Sequence, residues 1–311
     1  MHTKLLRLAA ITGVSIPSAS VVAFSATATS TSNSLQSLVI THQDAIASLK
    51  DIASKISEDE AIAPTSDVFY LRYVLNDAYE DEEARHVALQ ANLGWRANEG
   101  KAIVTGAYAA LQAATAGGGT WNNAPIRDAA PHAAIINEYL TTVQCITTTL
   151  SSNDLLYCVR AGKIDDKELM SKVTVEQMVD FFLYCKEVNA AAADLRSVHA
   201  DALLKVVTVN DLSGVKLIGS SSEFRAALSA ASKKGNELYP SLNGRTLLLN
   251  LPTLLGALVK IFNKLLPAAV RERIRFESGP LKHTADLREI AEGGAGRVEF
   301  LSQMDVLAYG K

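Results

Sequence analysis

The chain has 311 residues, 48% apolar, 6% aromatic and 20% charged, with 18 glycines, which excludes a disordered, collagen-like or coiled-coil protein and requires a sizeable core. Thirty Lys and Arg against 33 Asp and Glu give a net charge of −3, or −5 with the N-terminal Lys4 and Arg7 set aside, so no global basic field is available to hold a nucleic-acid backbone. The three cysteines, Cys145, Cys158 and Cys185, are odd in number and too far apart for a C-x2-C zinc pattern. They read as buried free thiols and not as a disulfide framework.

Lys4 and Arg7 precede a largely apolar stretch, residues 8–24, broken by Gly13, Ser15, Pro17, Ser18 and Ser20. It falls short of the roughly 20 strongly apolar residues that span a bilayer, and Val21, Val22 and Ala23 offer small or modest side chains for a signal peptidase. Residues 25–41 are dense in Ser, Thr and Ala, and no Asp or Glu occurs before Asp44, the composition of a transit peptide. Phe24, between the apolar run and the acid-free segment, resembles the cleavage context of bipartite presequences in algae with complex plastids. The expectation is a signal peptide-like segment at 1–23, a transit peptide-like segment at 24–42, and delivery to a plastid. The alternative is an ordinary secretory signal followed by a linker, hence residence in the secretory pathway or secretion. The absence of any N-x-S/T sequon weighs against an extracellular destination.

From about Gln43 the pattern is helical. Ile46, Leu49, Ile52 and Ile56 recur every three or four residues, and a second set runs from Val68 through Leu71 and Val74 to Leu93 and Trp95. Ser66 is the expected N-cap of the second helix. The acidic runs at Glu80–Glu83 and Asp165–Asp166 read as helix starts or solvated charges. An Ala-rich helix follows Gly100 and ends at Gly117-Gly118-Gly119, so a helical lobe at 43–116 gives way to a linker at 117–130. These glycines lead into Trp121-Asn122-Asn123 without the lysine of a phosphate loop, and a hinge is the better reading.

Beyond Pro131 strands and helices alternate. Strands are expected at Leu155–Arg160, Leu203–Val209, Thr246–Leu251 and Arg273–Glu277, with helices near 174–199, 222–237, 253–266 and 281–291. This is the order of an α/β sheet built through crossovers.

Specific residues then carry a family resemblance. Tyr70-Leu71-Arg72-Tyr73-Val74-Leu75, closed by Leu93-Gly94-Trp95-Arg96, is similar to the N-terminal helical module of the CRAL-TRIO family, whose founding members transfer phosphatidylinositol and phosphatidylcholine. Val206 through Asp211-Leu212-Ser213-Gly214 resembles the family's central strand and following turn. Tyr239-Pro240, Gly244-Arg245 and Asn250-Leu251-Pro252 resemble its most recognisable segment. The resemblance implies a mixed α/β domain at 131–305 whose sheet floors an apolar pocket closed by one amphipathic helix. Leu254, Leu258, Ile261, Phe262 and Leu265 form a continuous apolar face with Lys260 and Lys264 off it, as such a gate requires. Without the resemblance the same pattern fits a core-facing helix. Arg271 and Arg273, with Arg275, join the two lysines in a basic cluster that suits either anionic headgroups or a solvated, ion-paired edge.

The ligand is less clearly implied. The basic pair that binds inositol phosphate in the founding members falls near Asp77-Ala78, and the acidic residue expected after Tyr-Pro is Ser241, so an inositol headgroup does not fit. Tyr157 and Thr208 match polar pocket positions, Val206 replaces a serine, an alanine near Ala192 replaces a tyrosine, and Leu248 adds apolar lining. The resemblance therefore implies a more apolar ligand, such as a neutral lipid, a prenyl quinone, a tocopherol-like or carotenoid-like molecule, or a phospholipid taken without headgroup selection. No cofactor or metal is expected, since His42, His86, His132, His199 and His283 show no ligand spacing. No nucleophile elbow or Ser-His-Asp grouping stands out, so no enzyme is expected either. The expected partners are a hydrophobic small molecule and, transiently, a membrane surface. A lipid-sensing or protein-interaction module without transfer activity is the alternative.

Overall fold

The computed structural model describes residues 34–116, 123–140, 144–148, 154–161, 164–212, 221–249 and 274–277. The helical lobe comprises α1 (Leu35–Thr41), α2 (Gln43–Ser54), α3 (Asp67–Val74), α4 (Glu82–Ala97) and α5 (Lys101–Thr115). Ile46 and Leu49 of α2 meet Val68 and Leu71 of α3 and Leu89 and Leu93 of α4 in one core, the side chains whose period marks these helices. Ser66 caps α3 by accepting from the Val68 amide at 3.3 Å. Asp81 caps α4 through the Ala84 amide at 2.8 Å, so the acidic run is a helix start.

Helix α1 lies in the stretch whose composition suggests a delivery segment, yet it is packed into the fold. Leu35 is buried in the lobe core, and Ser34 caps the helix by accepting from Ser37. The Leu35 amide donates to the Asp201 carbonyl at 2.9 Å and the Gln36 amide to Asp201 Oδ1 at 2.9 Å, which places a carboxylate at the helix N-terminus.

The second part runs α6 (Asn123–Asp128), α7 (Ala133–Leu140), β1 (Gln144–Thr148), β2 (Leu155–Arg160), α8 (Asp166–Lys172), α9 (Val175–Ala200), β3 (Val206–Asp211), α10 (Ser222–Leu238), β4 (Asn243–Leu249) and β5 (Ile274–Glu277). Helix α6 falls inside the expected linker, and its Ile126 is buried in the same core as α9. The described sheet has the order β1-β2-β3-β4-β5. β1 is antiparallel to β2, and the remaining pairs are parallel. With α9 between β2 and β3 and α10 between β3 and β4, crossovers of the usual right hand bring the two helices to the same side of the sheet, where they pack against each other.

Two strands differ from their expected limits, each for a local reason. β3 begins at Val206 and not at Leu203, because the Leu204 carbonyl is taken by the Arg72 guanidinium at 2.8 Å and cannot join a ladder. β4 begins at Asn243 and carries a register shift opposite Val206/Thr208. Gly244 sits at this irregularity, where a Cβ would lie 3.0 Å from the Val206 carbonyl oxygen. Glycine lets the two backbones approach this closely without a shift of the neighbouring strand. β1, α7 and α8 are short, and no strong periodicity announces them.

Helix α9 is the spine. Its 26 residues span about 39 Å, and it packs against α3, α5, α10, β2 and β3. Thr174 and Gln177 form a reciprocal capping box at its start, and Asp201 ends it in the left-handed region at φ 46°. Among the described residues no helix is long and apolar enough to cross a membrane.

Candidate functional site

Strand alternation and register place the four sheet residues nominated from sequence on one face. Tyr157 is the register partner of Thr208, and Thr208 of Thr246. Val206 precedes Thr208 by two positions and Leu248 follows Thr246 by two, so all share that face. It is the face that α9 packs: Leu155 and Val206 are buried in one cluster with Met178, Tyr184, Val188 and Ala192 of α9, and Tyr157 packs against that cluster. The Cys185 thiol of α9 is hydrogen-bonded to the Tyr157 side chain, and burial pushes this thiol up to about 12, so it stays protonated and unreactive. Thr208 is half-buried, and Leu248 is buried. Val207 and Val209, also buried, face the other side. The nominated gate and membrane residues, Leu258, Ile261, Phe262 and Leu265 with Lys260, Lys264, Arg271 and Arg273, lie outside the described residues.

The structure brings together a second set of polar residues to which sequence reasoning assigned no role. Arg72 reaches from α3 into the α/β part: Nε donates to Asp194 Oδ1 at 2.6 Å, Nη1 to the Ser241 carbonyl at 3.3 Å and Nη2 to the Leu204 carbonyl. Asn92 of α4 donates to the Leu238 carbonyl at 2.6 Å. Arg96 makes a two-pronged pair with Glu187 of α9, both contacts at 2.8 Å, and donates to the carbonyls of Ile62 and Ala61, with the Phe69 ring against its guanidinium. Burial works against the Arg96 charge, and Glu187 more than offsets it, raising its pKa. The Tyr73 and Tyr239 phenols sit beside this pair, and burial pushes both well above their ordinary value.

These contacts converge on α9 and on the Tyr239-Pro240-Ser241 turn, which leads into β4. Ser241 itself holds φ at 52°, a strained position for a residue with a side chain, and its carbonyl is the one that Arg72 fixes. One signal for these residues exists in the sequence. Arg72 lies between Leu71 and Tyr73 and Arg96 follows Trp95, at positions inside otherwise core-forming stretches, and a cation there needs a buried partner. Nothing in the pattern names Glu187 or Asp194 as those partners.

Two of the remaining polar candidates have structural contacts, and His283 lies outside the described residues. Asp165 caps α8 through the Glu168 amide. His86 shares Ser48 with Glu82 at the surface of the lobe. The cysteine spacing conceals one proximity, since Cys145 and Cys158 are register partners on β1 and β2. Among the described residues no group of three His, Cys, Asp or Glu is placed to hold a metal.

The sequence model of the CRAL/TRIO domain matches residues 144–291. A solved structure described as "Crystal structure of Sfh5" is similar, at 16% identity and a TM-score of 0.46, covering 78% of this chain and 80% of that one. No curated protein matches. Residues 144–291, which hold the mixed sheet and its crossover helices, thus match the CRAL/TRIO domain, the family that the sequence motifs resemble.

Proposed function

We propose that the protein holds a hydrophobic ligand in an enclosed pocket and carries or presents it between membranes, by binding and gating and without covalent chemistry. The observation that supports this is the CRAL/TRIO domain at residues 144–291, a family of lipid and hydrophobic-ligand binding and transfer. In this reading Tyr157, Val206, Thr208 and Leu248 line the floor. The segment 253–266 is the gate, its Leu258, Ile261, Phe262 and Leu265 facing the ligand. Each methylene moved from water into such a pocket gains about 0.8 kcal/mol. One lipid chain therefore gains on the order of 10 kcal/mol, and it leaves into water too slowly to be useful. Exchange belongs at a membrane, where an opened gate buries its own apolar face and Lys260, Lys264, Arg271 and Arg273 meet anionic headgroups.

Purified protein should yield a stoichiometric lipid on extraction and mass spectrometry, and should move it between donor and acceptor vesicles. A Phe262→Asp variant should exchange it more slowly at an unchanged melting temperature. An empty protein with no extractable ligand would sink the carrier reading in favour of a protein-interaction module.

Delivery to a plastid is part of the same proposal. A presequence would have to end before Ser34, since α1 is packed into the lobe and bonded to Asp201. A reporter fused to the first 33 residues should enter the plastid, and substitution of Phe24 should divert it. A reporter that is secreted in both forms contradicts this.

A further inference from the structure

Residues Cys185, Asn189, Ala192 and Arg196 of α9 are spaced i, i+4, i+7, i+11, one face of the helix. The hydrogen bond between Cys185 and Tyr157 of β2 turns that face toward the sheet, and Ala192 is buried in the core cluster that also holds Leu155 and Val206. The two polar members of the row are unanswered. Asn189 is only 4% exposed, and its Oδ1 has no hydrogen-bond partner; the Nε of Arg196 is likewise buried without one. The acidic residues nearest in the helix are already engaged, Asp194 by Arg72 and Glu187 by Arg96. Burial lowers the pKa of Arg196 with no carboxylate to offset it. Buried cations are ordinarily paired, and buried amides ordinarily bonded.

We propose that this row is the polar end of the ligand site and takes an anionic head that carries a hydroxyl beside it. An anionic oxygen accepts from the Arg196 guanidinium, and the ligand hydroxyl donates to Asn189 Oδ1. Ala192 is the small residue between them on this face. This rests on reading the domain as a container for a hydrophobic ligand. It moves the expected ligand away from wholly neutral molecules and toward an acidic amphiphile, such as a phosphate monoester on a single-chain glycerol lipid.

Four probes with the same chain separate the two contacts: oleoyl lysophosphatidate (anion and hydroxyl), oleate (anion alone), oleoylglycerol (hydroxyls alone) and methyl oleate (neither). Equilibrium binding to the full chain should rank lysophosphatidate first, at least about tenfold tighter than oleoylglycerol, the difference one charge-assisted hydrogen bond makes. Arg196→Gln should bring lysophosphatidate down to the level of oleoylglycerol while leaving methyl oleate unchanged, and Arg196→Lys should keep a preference for the anions. Asn189→Leu should erase the advantage of lysophosphatidate over oleate. Equal binding of lysophosphatidate and oleoylglycerol by the unaltered protein overturns the inference, as does an Arg196→Gln variant that weakens all four probes alike. If Arg196→Gln does not fold, the ranking by the unaltered protein decides. Failure of all four to bind would instead remove the container reading, and this inference with it.

Discussion

Arg72 and Arg96 show how single charges can organise a fold when their surroundings exclude water. Each guanidinium is almost wholly covered, and each spends its donors on one carboxylate and on backbone carbonyls left open by turns. Removing such a cation strands a buried anion, so Arg72→Ala should destabilise the protein by about 3–5 kcal/mol in chemical denaturation. The partner titrates informatively. Burial pushes the Asp194 carboxyl above its ordinary value of 3.8, against the pull of Arg72. A carboxyl whose folded pKa is raised holds its proton more readily in the folded state. Its contribution to stability is therefore full at low pH and declines as the pH rises through the folded pKa. The difference in unfolding free energy between the unaltered protein and Asp194→Asn should narrow over that rise; a difference that widens instead would reverse the assigned direction.

At the scale of elements, α9 matters most, because it touches the lobe, the sheet and α10 at once. Its start is secured by the Thr174–Gln177 box, and Thr174→Ala should cost about 1 kcal/mol, read as a lower denaturation midpoint with an unchanged slope. The long helices and β2 were legible in the sequence because they carry period or contiguous apolar runs: expected limits of 174–199 and 222–237 compare with Val175–Ala200 and Ser222–Leu238. What pattern could not supply was pairing. Leu203 and Leu204 look like strand residues, and it is a guanidinium from residue 72 that takes the Leu204 carbonyl out of the ladder. The candidate site divides in the same way. Tyr157, Val206, Thr208 and Leu248 follow from the family resemblance, and they do share a face. Asn189 and Arg196 escaped notice because a polar residue within an alanine-rich helix looks like solvent-facing surface until the neighbouring strand is in place.

For the molecule as a whole, the lobe and the CRAL/TRIO domain are joined by buried polar bonds as well as by apolar contact. The junction reaches α9 and the turn before β4, so the lobe braces the strand that leads toward the proposed gate. Unfolding should therefore be a single transition with coincident near- and far-UV signals, and a protein beginning at residue 117 should be insoluble or molten. A separately stable domain with a sharp transition of its own would contradict the brace.

The docking of α1 on Asp201 has a consequence for how the chain matures. The amide of Gln36 and its acceptor are 165 residues apart, and loop closure over that distance comes late. A chain emerging from the ribosome can form α2 to α4 early and pack Leu35 against them, but the first turn of α1 lacks its Asp201 partner until α9 has been made and has ended in its left-handed residue. Until then the N-terminal end of α1 stays open to whatever recognises it, be it a protease, a chaperone or a translocation machine. That contact thus closes over the N-terminal segment itself and sets the moment at which its free end ceases to be available.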